Sequence, residues 1–335
     1  MGLSKNSRIA VLGGGSWATA LTKMLLENMD RIVWYMRSPD AVAYIRSQGH
    51  NPNYLTSVEF KTEQLLLTAS IDEAVQKADI LIFAIPSAFL VDELKKLGLP
   101  LKDKIIFSAI KGIVPETGLI VGEHFHDTYD IPFENIGVIT GPCHAEEVAL
   151  ERLSYLTIAC ADTEKAKFIA KKLQSDYIKT KVTKDIIGTE YAAMLKNIYA
   201  IAAGIAHGLG YGDNFQSVLM SNAIREMKRF TKRIYKIDRN INDSAYLGDL
   251  LVTGYSIFSR NRMFGNMLGK GYTVKSAMME MKMVAEGYYA AKGVHQLKER
   301  LNKKVKTPII DSVYAILYES QSPKKIFEKL TDKLD

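Results

Sequence analysis

Cysteine is scarce: Cys143 and Cys160 are the only two in 335 residues, which excludes a disulfide-stapled framework. The first residues hold no apolar signal segment, and no stretch is apolar over the length a bilayer needs. These absences point to the cytoplasm and against stable membrane insertion. No internal repeat or low-complexity tract stands out. His124 and His126 alternate without a third ligand, so no metal site is read. Acids are also in deficit, 37 against 44 lysines and arginines, for a net charge of +7. Most of that excess is scattered among acids. The set Lys228, Arg229, Lys232, Arg233 and Lys236 has helical spacing and reads as a solvated helix face rather than a nucleic-acid surface. A small anionic ligand explains a basic cleft equally well.

What is present suits a globular protein of two domains: 47% of residues are hydrophobic and 24% charged. Near the start, Arg8-Ile9-Ala10-Val11-Leu12 runs into Gly13-Gly14-Gly15-Ser16-Trp17-Ala18. An apolar strand feeds a glycine turn, which feeds a helix-forming run. Gly13 permits the tight turn, Gly15 lets backbone approach phosphates, and the small Ala18 lets helix pack on strand. The unpaired N–H groups of the helix start then face negative charge. Such turns also occur without a ligand. The second apolar run, Arg31–Met36, is followed by Arg37. An NAD-specific fold usually places an acid there against the ribose hydroxyls. A guanidinium instead suits a 2′-phosphate, so NADP is favoured over NAD. The alternative is a solvated loop arginine.

Strand and helix patterns alternate through the first half. Pro39–Gln48 and Ile71–Lys77 read as helices, the latter capped by Ser70. Asp79–Ser87, Lys104–Ala109 and Ile136–Thr140 read as strands. Repeated βα units imply an N-terminal, Rossmann-like, doubly wound parallel sheet. Ligand groups then gather at strand C-terminal ends, where Pro86-Ser87, Lys111-Gly112 and Gly141-Pro142 lie. From about Asp185, helix-compatible runs take over: Glu190–Ala206, Asn214–Tyr235 and Val274–Leu301. The expected division is a dinucleotide-binding domain over 1–187 and an all-helical substrate domain over 188–335.

Within the helical half, Lys196 sits in the apolar run Glu190–Ala203. Desolvation there would lower its pKa, as a general base needs, and Lys111 is a candidate second cation pushing the same way. Alternatively the stem snorkels and the ammonium reaches water. Gly248-Asp249 offers a carboxylate at a helix start, for chemistry or for simple N-capping. Ser259-Arg260-Asn261-Arg262 gathers donors that suit a phosphate, or forms an ordinary basic helix end. Val284-Ala285-Glu286-Gly287-Tyr288 sets an acid beside glycine among apolar residues.

Taken in order and spacing, these segments resemble the bacterial type of NAD(P)-dependent glycerol-3-phosphate dehydrogenase from Ile9 to about Tyr318. The carriers are the glycine turn, Lys111-Gly112, Gly141-Pro142-Cys143-His144-Ala145-Glu146-Glu147, Leu195-Lys196-Asn197, Gly248-Asp249-Leu250, Ser259–Arg262 and Glu286-Gly287-Tyr288. The resemblance implies that Ser16, Trp17, Arg37 and Tyr54 line the phosphate and adenosine end of the cofactor, beside Gly13 and Gly15. It gives Lys111 to cofactor and substrate, Ala145 to cofactor, and Gly141 and Cys143 to substrate. Lys196 becomes the proton acceptor. Asp249, Ser259, Arg260 and Asn261 complete the substrate site, with Arg260 also reaching the cofactor. Val284 and Glu286 close over the nicotinamide side.

The implied reaction is hydride exchange between C2 of sn-glycerol 3-phosphate and NAD(P), giving dihydroxyacetone phosphate. In the reductive direction it supplies phospholipid synthesis. Lys111 and Asn197 are candidates to hold the developing alkoxide. The partner is a small phosphorylated substrate, with no nucleic acid; a homodimer is compatible with the sequence. One departure stands out. The family usually has Ser or Thr where Cys143 stands, and a thiol is the poorer donor. Two other readings share some of these features. A β-hydroxyacid dehydrogenase would need a carboxylate clamp instead of a phosphate site. A cofactor-sensing binding protein would have no use for Lys196 in an apolar helix.

Overall fold

The computed structural model describes residues 3–4, 6–281, 285–301 and 305–335. The chain forms two compact units, one of Met1–Ile110 with Val121–Ile186, the other of Lys111–Ile120 with Ile187–Asp335.

The first unit is built on eight strands: β1 (Ile9–Leu12), β2 (Ile32–Tyr35), β3 (Leu65–Thr68), β4 (Ile80–Phe83), β5 (Ile105–Ser108), β8 (Ile136–Thr140), β9 (Ser154–Cys160) and β10 (Ile178–Thr183). The sheet order is β10-β9-β8-β5-β4-β1-β2-β3. From β3 to β8 every neighbouring pair is parallel. That stretch is the 3-2-1-4-5-6 order of dinucleotide-binding sheets, with its switch point between β1 and β4. β1, β2, β4 and β5 are buried throughout, as strands covered on both faces should be. The connecting helices are α1 (Ser16–Leu26), α2 (Pro39–Gln48), α3 (Ile71–Lys77), α4 (Ser87–Leu94), α5 (Val121–Tyr129), α6 (Ala145–Ala149) and α7 (Thr163–Leu173).

At one edge the sheet is mixed. β9 runs antiparallel to β8, and β10 runs parallel to β9. The β8–β9 link carries only the five-residue α6, too short to cross a sheet face. The helix starts at Ser38 and Ser70 follow from capping: each side chain accepts a backbone N–H of its own first turn.

The second unit holds a two-stranded antiparallel hairpin, β6 (Ile113–Val114) and β7 (Leu119–Ile120), and eight helices among the described residues. These are α8 (Ile186–Gly208), α9 (Asp213–Ile234), α10 (Asp249–Tyr255), α11 (Arg260–Gly269), α12 (Val274–Glu280), α13 (Glu286–Arg300), α14 (Pro308–Tyr318) and α15 (Pro323–Thr331). Lys111–Ile120 falls in this second unit, whereas the expected division gave 1–187 to the first domain. Ile113 packs its side chain on Gly293 of α13, and Arg300 donates to the Gly118 carbonyl at 3.3 Å, so the hairpin belongs with the helices. The single run expected over Val274–Leu301 is also two helices. Backbone turns extended at Met281 and re-enters a helix after an extended Ala285.

Helices α8 and α11 touch backbone to backbone. A Cβ on Gly204 would meet the Arg262 carbonyl and lie 2.7 Å from the Asn266 nitrogen. A Cβ on Gly265 would meet the Ile201 carbonyl, and Gly208 and Gly269 face each other in the same way. Only hydrogen at these four positions allows the approach. Around it lie the buried rings of Tyr199, Phe230, Phe264 and Phe327.

Candidate active site

In the first unit, the glycine turn sits at the C-terminal end of β1. Gly13 has φ +138°, and a Cβ there would lie 2.5 Å from the Ala84 carbonyl oxygen beyond β4. Only glycine fits both the dihedral and the space. The turn is pinned from below. Gly13 donates its N–H to the Tyr35 carbonyl at 3.0 Å, and Trp34 Nε1 donates to the Gly13 carbonyl at 2.8 Å. Asn51 Nδ2 donates to the Gly14 carbonyl at 3.1 Å. Gly15 is the N-cap of α1 and has no side chain to cap with. Among the described residues, the N–H groups of Gly14 and Gly15 meet no protein acceptor. A cradle that a Cβ would fill, ringed with spare N–H donors, fits a pyrophosphate.

The other expected cofactor residues of this unit are placed as follows. Ser16 and Trp17, both half-buried, form the first turn of α1. Arg37 is exposed just beyond β2 and makes no hydrogen bond or ion pair among the described residues. Tyr54 is half-buried, and its N–H donates to Asn51 Oδ1 at 3.2 Å. Gly141 follows β8 with φ +118°, where a Cβ would lie 2.7 Å from the Tyr155 carbonyl oxygen. Cys143 and Ala145 are both buried beyond it, and Ala145 opens α6. Val284 lies outside the described residues.

The second unit gathers the chemistry. Lys196, in the middle of α8, is only 4% exposed, and Asp249, first residue of α10, is 1% exposed. Lys196 Nζ donates to Asp249 Oδ1 in an ion pair. Lys111 Nζ stands 3.9 Å from the other carboxylate oxygen. Snorkelling is thereby ruled out for Lys196, and so is a simple capping role for the Asp249 carboxylate. Burial pushes the Lys196 ammonium down to about 7; Asp249 opposes the shift and the Lys111 charge adds to it. Two cations sharing one carboxylate leave an excess positive charge in a desolvated place, where an amine releases its proton near neutrality. A π-helical turn, Ser244–Gly248, runs directly into Asp249.

A chain of amide hydrogen bonds ties the surrounding segments together. Asn197 Nδ2 donates to the Lys111 carbonyl at 2.8 Å. Asn261 Nδ2 donates to Asn197 Oδ1 at 3.0 Å, and Asn261 Oδ1 accepts the Gly287 N–H at 2.8 Å. Gly287 is required there, since a Cβ would lie 2.6 Å from the Asn197 carbonyl oxygen. The hairpin, α8, α11 and α13 thus meet at one point, with the half-buried Glu286 at the start of α13. Asn197 and Asn261 each keep only part of their donor capacity for a ligand.

Ser259–Arg262 begins helix α11 instead of ending one. Ser259 Oγ caps it by accepting the Arg262 N–H at 3.3 Å, which leaves the hydroxyl hydrogen to donate. Arg260 is half-buried, and its guanidinium takes no protein partner among the described residues. A partly desolvated, unpaired guanidinium beside a helix N-terminus suits an anion.

Two features were not anticipated from sequence. Asn51, to which the sequence assigned no role, is a pin of the glycine turn. The Gly204/Gly208 and Gly265/Gly269 pairs bring α8 against α11, and their four-residue spacing is the signal that could have found them.

Comparison with known proteins bears on what this geometry is for. Residues 8–166 match the family described as NAD-dependent glycerol-3-phosphate dehydrogenase N-terminus, and residues 185–328 match its C-terminus. The chain belongs to that family. It is 35% identical over 325 residues to a protein of Listeria monocytogenes named glycerol-3-phosphate dehydrogenase [NAD(P)+], covering 96% of this chain and 95% of that one. A protein of the same name from an Exiguobacterium species is 34% identical, covering 97% and 95% of the two chains. The crystal structure of glycerol-3-phosphate dehydrogenase from Coxiella burnetii superposes with a TM-score of 0.88 at 27% identity, covering 97% and 98%. The chain is therefore an oxidoreductase of the NAD(P)-dependent class that acts on a CH–OH group.

Proposed function

We propose that this enzyme interconverts sn-glycerol 3-phosphate and dihydroxyacetone phosphate, prefers NADPH, and works in the cytoplasm to supply glycerol 3-phosphate for phospholipid synthesis. The observation that carries the chemistry is the buried Lys196–Asp249 pair with Lys111 on the second carboxylate oxygen.

Gly13, Gly15, Ser16, Trp17, Arg37, Tyr54 and Ala145 would hold the cofactor, with Lys111, Arg260, Val284 and Glu286 completing its contacts. Bound NADP supplies the acceptor for the C2 hydride, and NADPH its donor in the reverse direction. The rest falls to the protein. In oxidation, neutral Lys196 takes the C2 hydroxyl proton onto Nζ as the hydride departs, so the carbonyl forms without a free alkoxide. In reduction, the ammonium of Lys196 returns that proton to the carbonyl oxygen. The Asp249 carboxylate keeps Nζ in place in both charge states. The Lys111 ammonium, held on the same carboxylate, would share in stabilising charge on the oxygen. Arg260, Ser259 and Asn261 would take the phosphate, whose charge the unpaired guanidinium matches. Gly141 and Cys143 are the remaining proposed substrate contacts. Since a thiol donates poorly, the Cys143 contribution would come through its backbone N–H.

NADPH preference rests on Arg37, exposed and unpaired where NAD-specific folds place an acid. The test is loss of reduced-cofactor absorbance on adding dihydroxyacetone phosphate, with NADPH and NADH in parallel. Turnover with both and higher kcat/KM for NADPH is expected. No turnover with either would refute the assignment, and an NADH preference would refute the role of Arg37.

A further inference from the structure

We infer that Asn51 is a positioning residue for the cofactor, setting the direction of a phosphate-facing N–H and the place of Tyr54 with one carboxamide. The inference rests on the cofactor reading above and adds a residue to it.

Asn51 is 1% exposed, and each end of its amide makes two hydrogen bonds. Nδ2 donates to the Gly14 carbonyl at 3.1 Å and to Thr19 Oγ1 at 3.0 Å. Oδ1 accepts the N–H of Asn53 at 3.0 Å and of Tyr54 at 3.2 Å. A side chain that only closed its own loop would bond to its neighbours. Asn51 instead reaches across to the glycine turn and to the first turns of α1. Thr19 Oγ1 in turn donates to the Gly15 carbonyl at 3.0 Å, so the N-cap of α1 is held through the same contact.

The consequence follows from peptide geometry. A trans peptide is planar, and its N–H points opposite to its carbonyl. Holding the Gly14 carbonyl toward Asn51 therefore turns the Gly15 N–H the other way. Trp34 does the same for the Gly13 carbonyl and the Gly14 N–H. These are the two N–H groups that meet no protein acceptor among the described residues. Glycines without such anchors would pay conformational entropy when a ligand orders them. The chemistry also selects asparagine. Aspartate would set an acceptor against the Gly14 carbonyl, and glutamine is one methylene too long for four short contacts. Serine lacks the paired donors.

The test is the Asn51→Ala variant of the full-length enzyme, titrated with NADPH by fluorescence. A rise in Kd of about tenfold is expected, the scale of one or two net hydrogen bonds. The value of kcat at saturating NADPH and KM for dihydroxyacetone phosphate should stay within about twofold. A double-mutant cycle adds a readout that mere loss of stability would not move. If Asn51 places Tyr54, then Tyr54→Ala weakens NADPH binding less in the Asn51→Ala background than in the wild type. Should Asn51→Ala fail to fold, Thr19→Val, of nearly the same shape, removes one anchor and should raise Kd about threefold. Unchanged NADPH affinity in the folded variant, a loss confined to kcat, or additive effects of the two substitutions would overturn the inference. If the wild type binds no NADPH at all, the cofactor reading falls with it. If the wild type binds and the variants bind equally well, only the role of Asn51 falls.

Discussion

Lys196 and Asp249, 53 positions apart in sequence, form an ion pair in which both side chains are buried. Burying two charges is favourable only when geometry and further bonds compensate for desolvation. A fold that keeps such a pair, with a second lysine on the same carboxylate, has placed an amine where it can lose its proton near pH 7.

Lys196→Met should therefore keep the fold and NADPH binding but lower kcat at least ~100-fold, the usual scale of general acid–base work. Methionine fills similar space without a titrating nitrogen. Steady-state kinetics on the purified variant, beside an NADPH titration, checks this. Near-normal kcat would remove Lys196 from the chemistry.

The depressed pKa of Lys196 gives a signed pH dependence. Reduction needs the ammonium, so kcat/KM for dihydroxyacetone phosphate should be high below about pH 7 and fall above it. Oxidation needs the neutral amine, so kcat/KM for glycerol 3-phosphate should rise to about pH 7 and then level. Asp249 raises this pKa and Lys111 lowers it. Asp249→Asn should accordingly move the midpoint down, and Lys111→Met should move it up, whatever either does to the absolute rate. Midpoints that stay put in both variants would assign the titration to another group.

Much of this arrangement could be read from the sequence, for identifiable reasons. The glycine turn, the apolar strands and the helix capped at Ser70 are local patterns, and their residues carry the signal themselves. Lys196 was legible because a lysine in an apolar helix is anomalous. Its partner was not, since nothing local ties Asp249 to a lysine in another helix. The break inside Val274–Leu301 was hidden because that run has no Gly or Pro near Met281. The start of α13 is fixed instead by a bond from the Gly287 N–H to Asn261, on a different helix. The reversed β9 and the Lys111–Ile120 hairpin are tertiary decisions of the same kind. Asn51 escaped because its bonds run to Gly14 and Thr19, 37 and 32 positions away.

Cofactor choice is tested by Arg37→Asp, which sets a negative charge where a 2′-phosphate is proposed to bind. NADPH should weaken more than NADH, by ~1–3 kcal/mol in relative terms, the range for a charged hydrogen-bonding contact. The ratio of kcat/KM for NADPH over NADH is the measurement. A ratio that does not fall would place the 2′-phosphate elsewhere.

Gly204→Ala tests the contact that holds α8 against α11. By helix propensity alone, alanine should stabilise by up to ~1 kcal/mol. The methyl would instead run into the Arg262 carbonyl and the Asn266 nitrogen of the facing helix. Overpacking against backbone typically destabilises by ~1–3 kcal/mol, so the sign should reverse and the melting temperature fall by several degrees. Gly212→Ala, where an added methyl meets open space, serves as the control. Equal or higher melting temperature for Gly204→Ala would show that the two backbones can part without loss.

Arg260→Lys separates phosphate recognition from generic positive charge. Arg260 opens α11, behind the Ser259 cap and before Asn261, and its guanidinium has no protein partner among the described residues. Arginine presents two parallel N–H groups that a phosphate can take together, whereas lysine offers a point charge on a flexible stem. The substitution should therefore lower kcat/KM for dihydroxyacetone phosphate about tenfold or more, although charge is kept. With unphosphorylated dihydroxyacetone, which lacks the partner group, the loss should be much smaller. The comparison also isolates any effect through the cofactor, since that contact would be weakened whichever substrate is present. Equal proportional losses for the two substrates would move Arg260 from the phosphate to the cofactor or to the framework of α11.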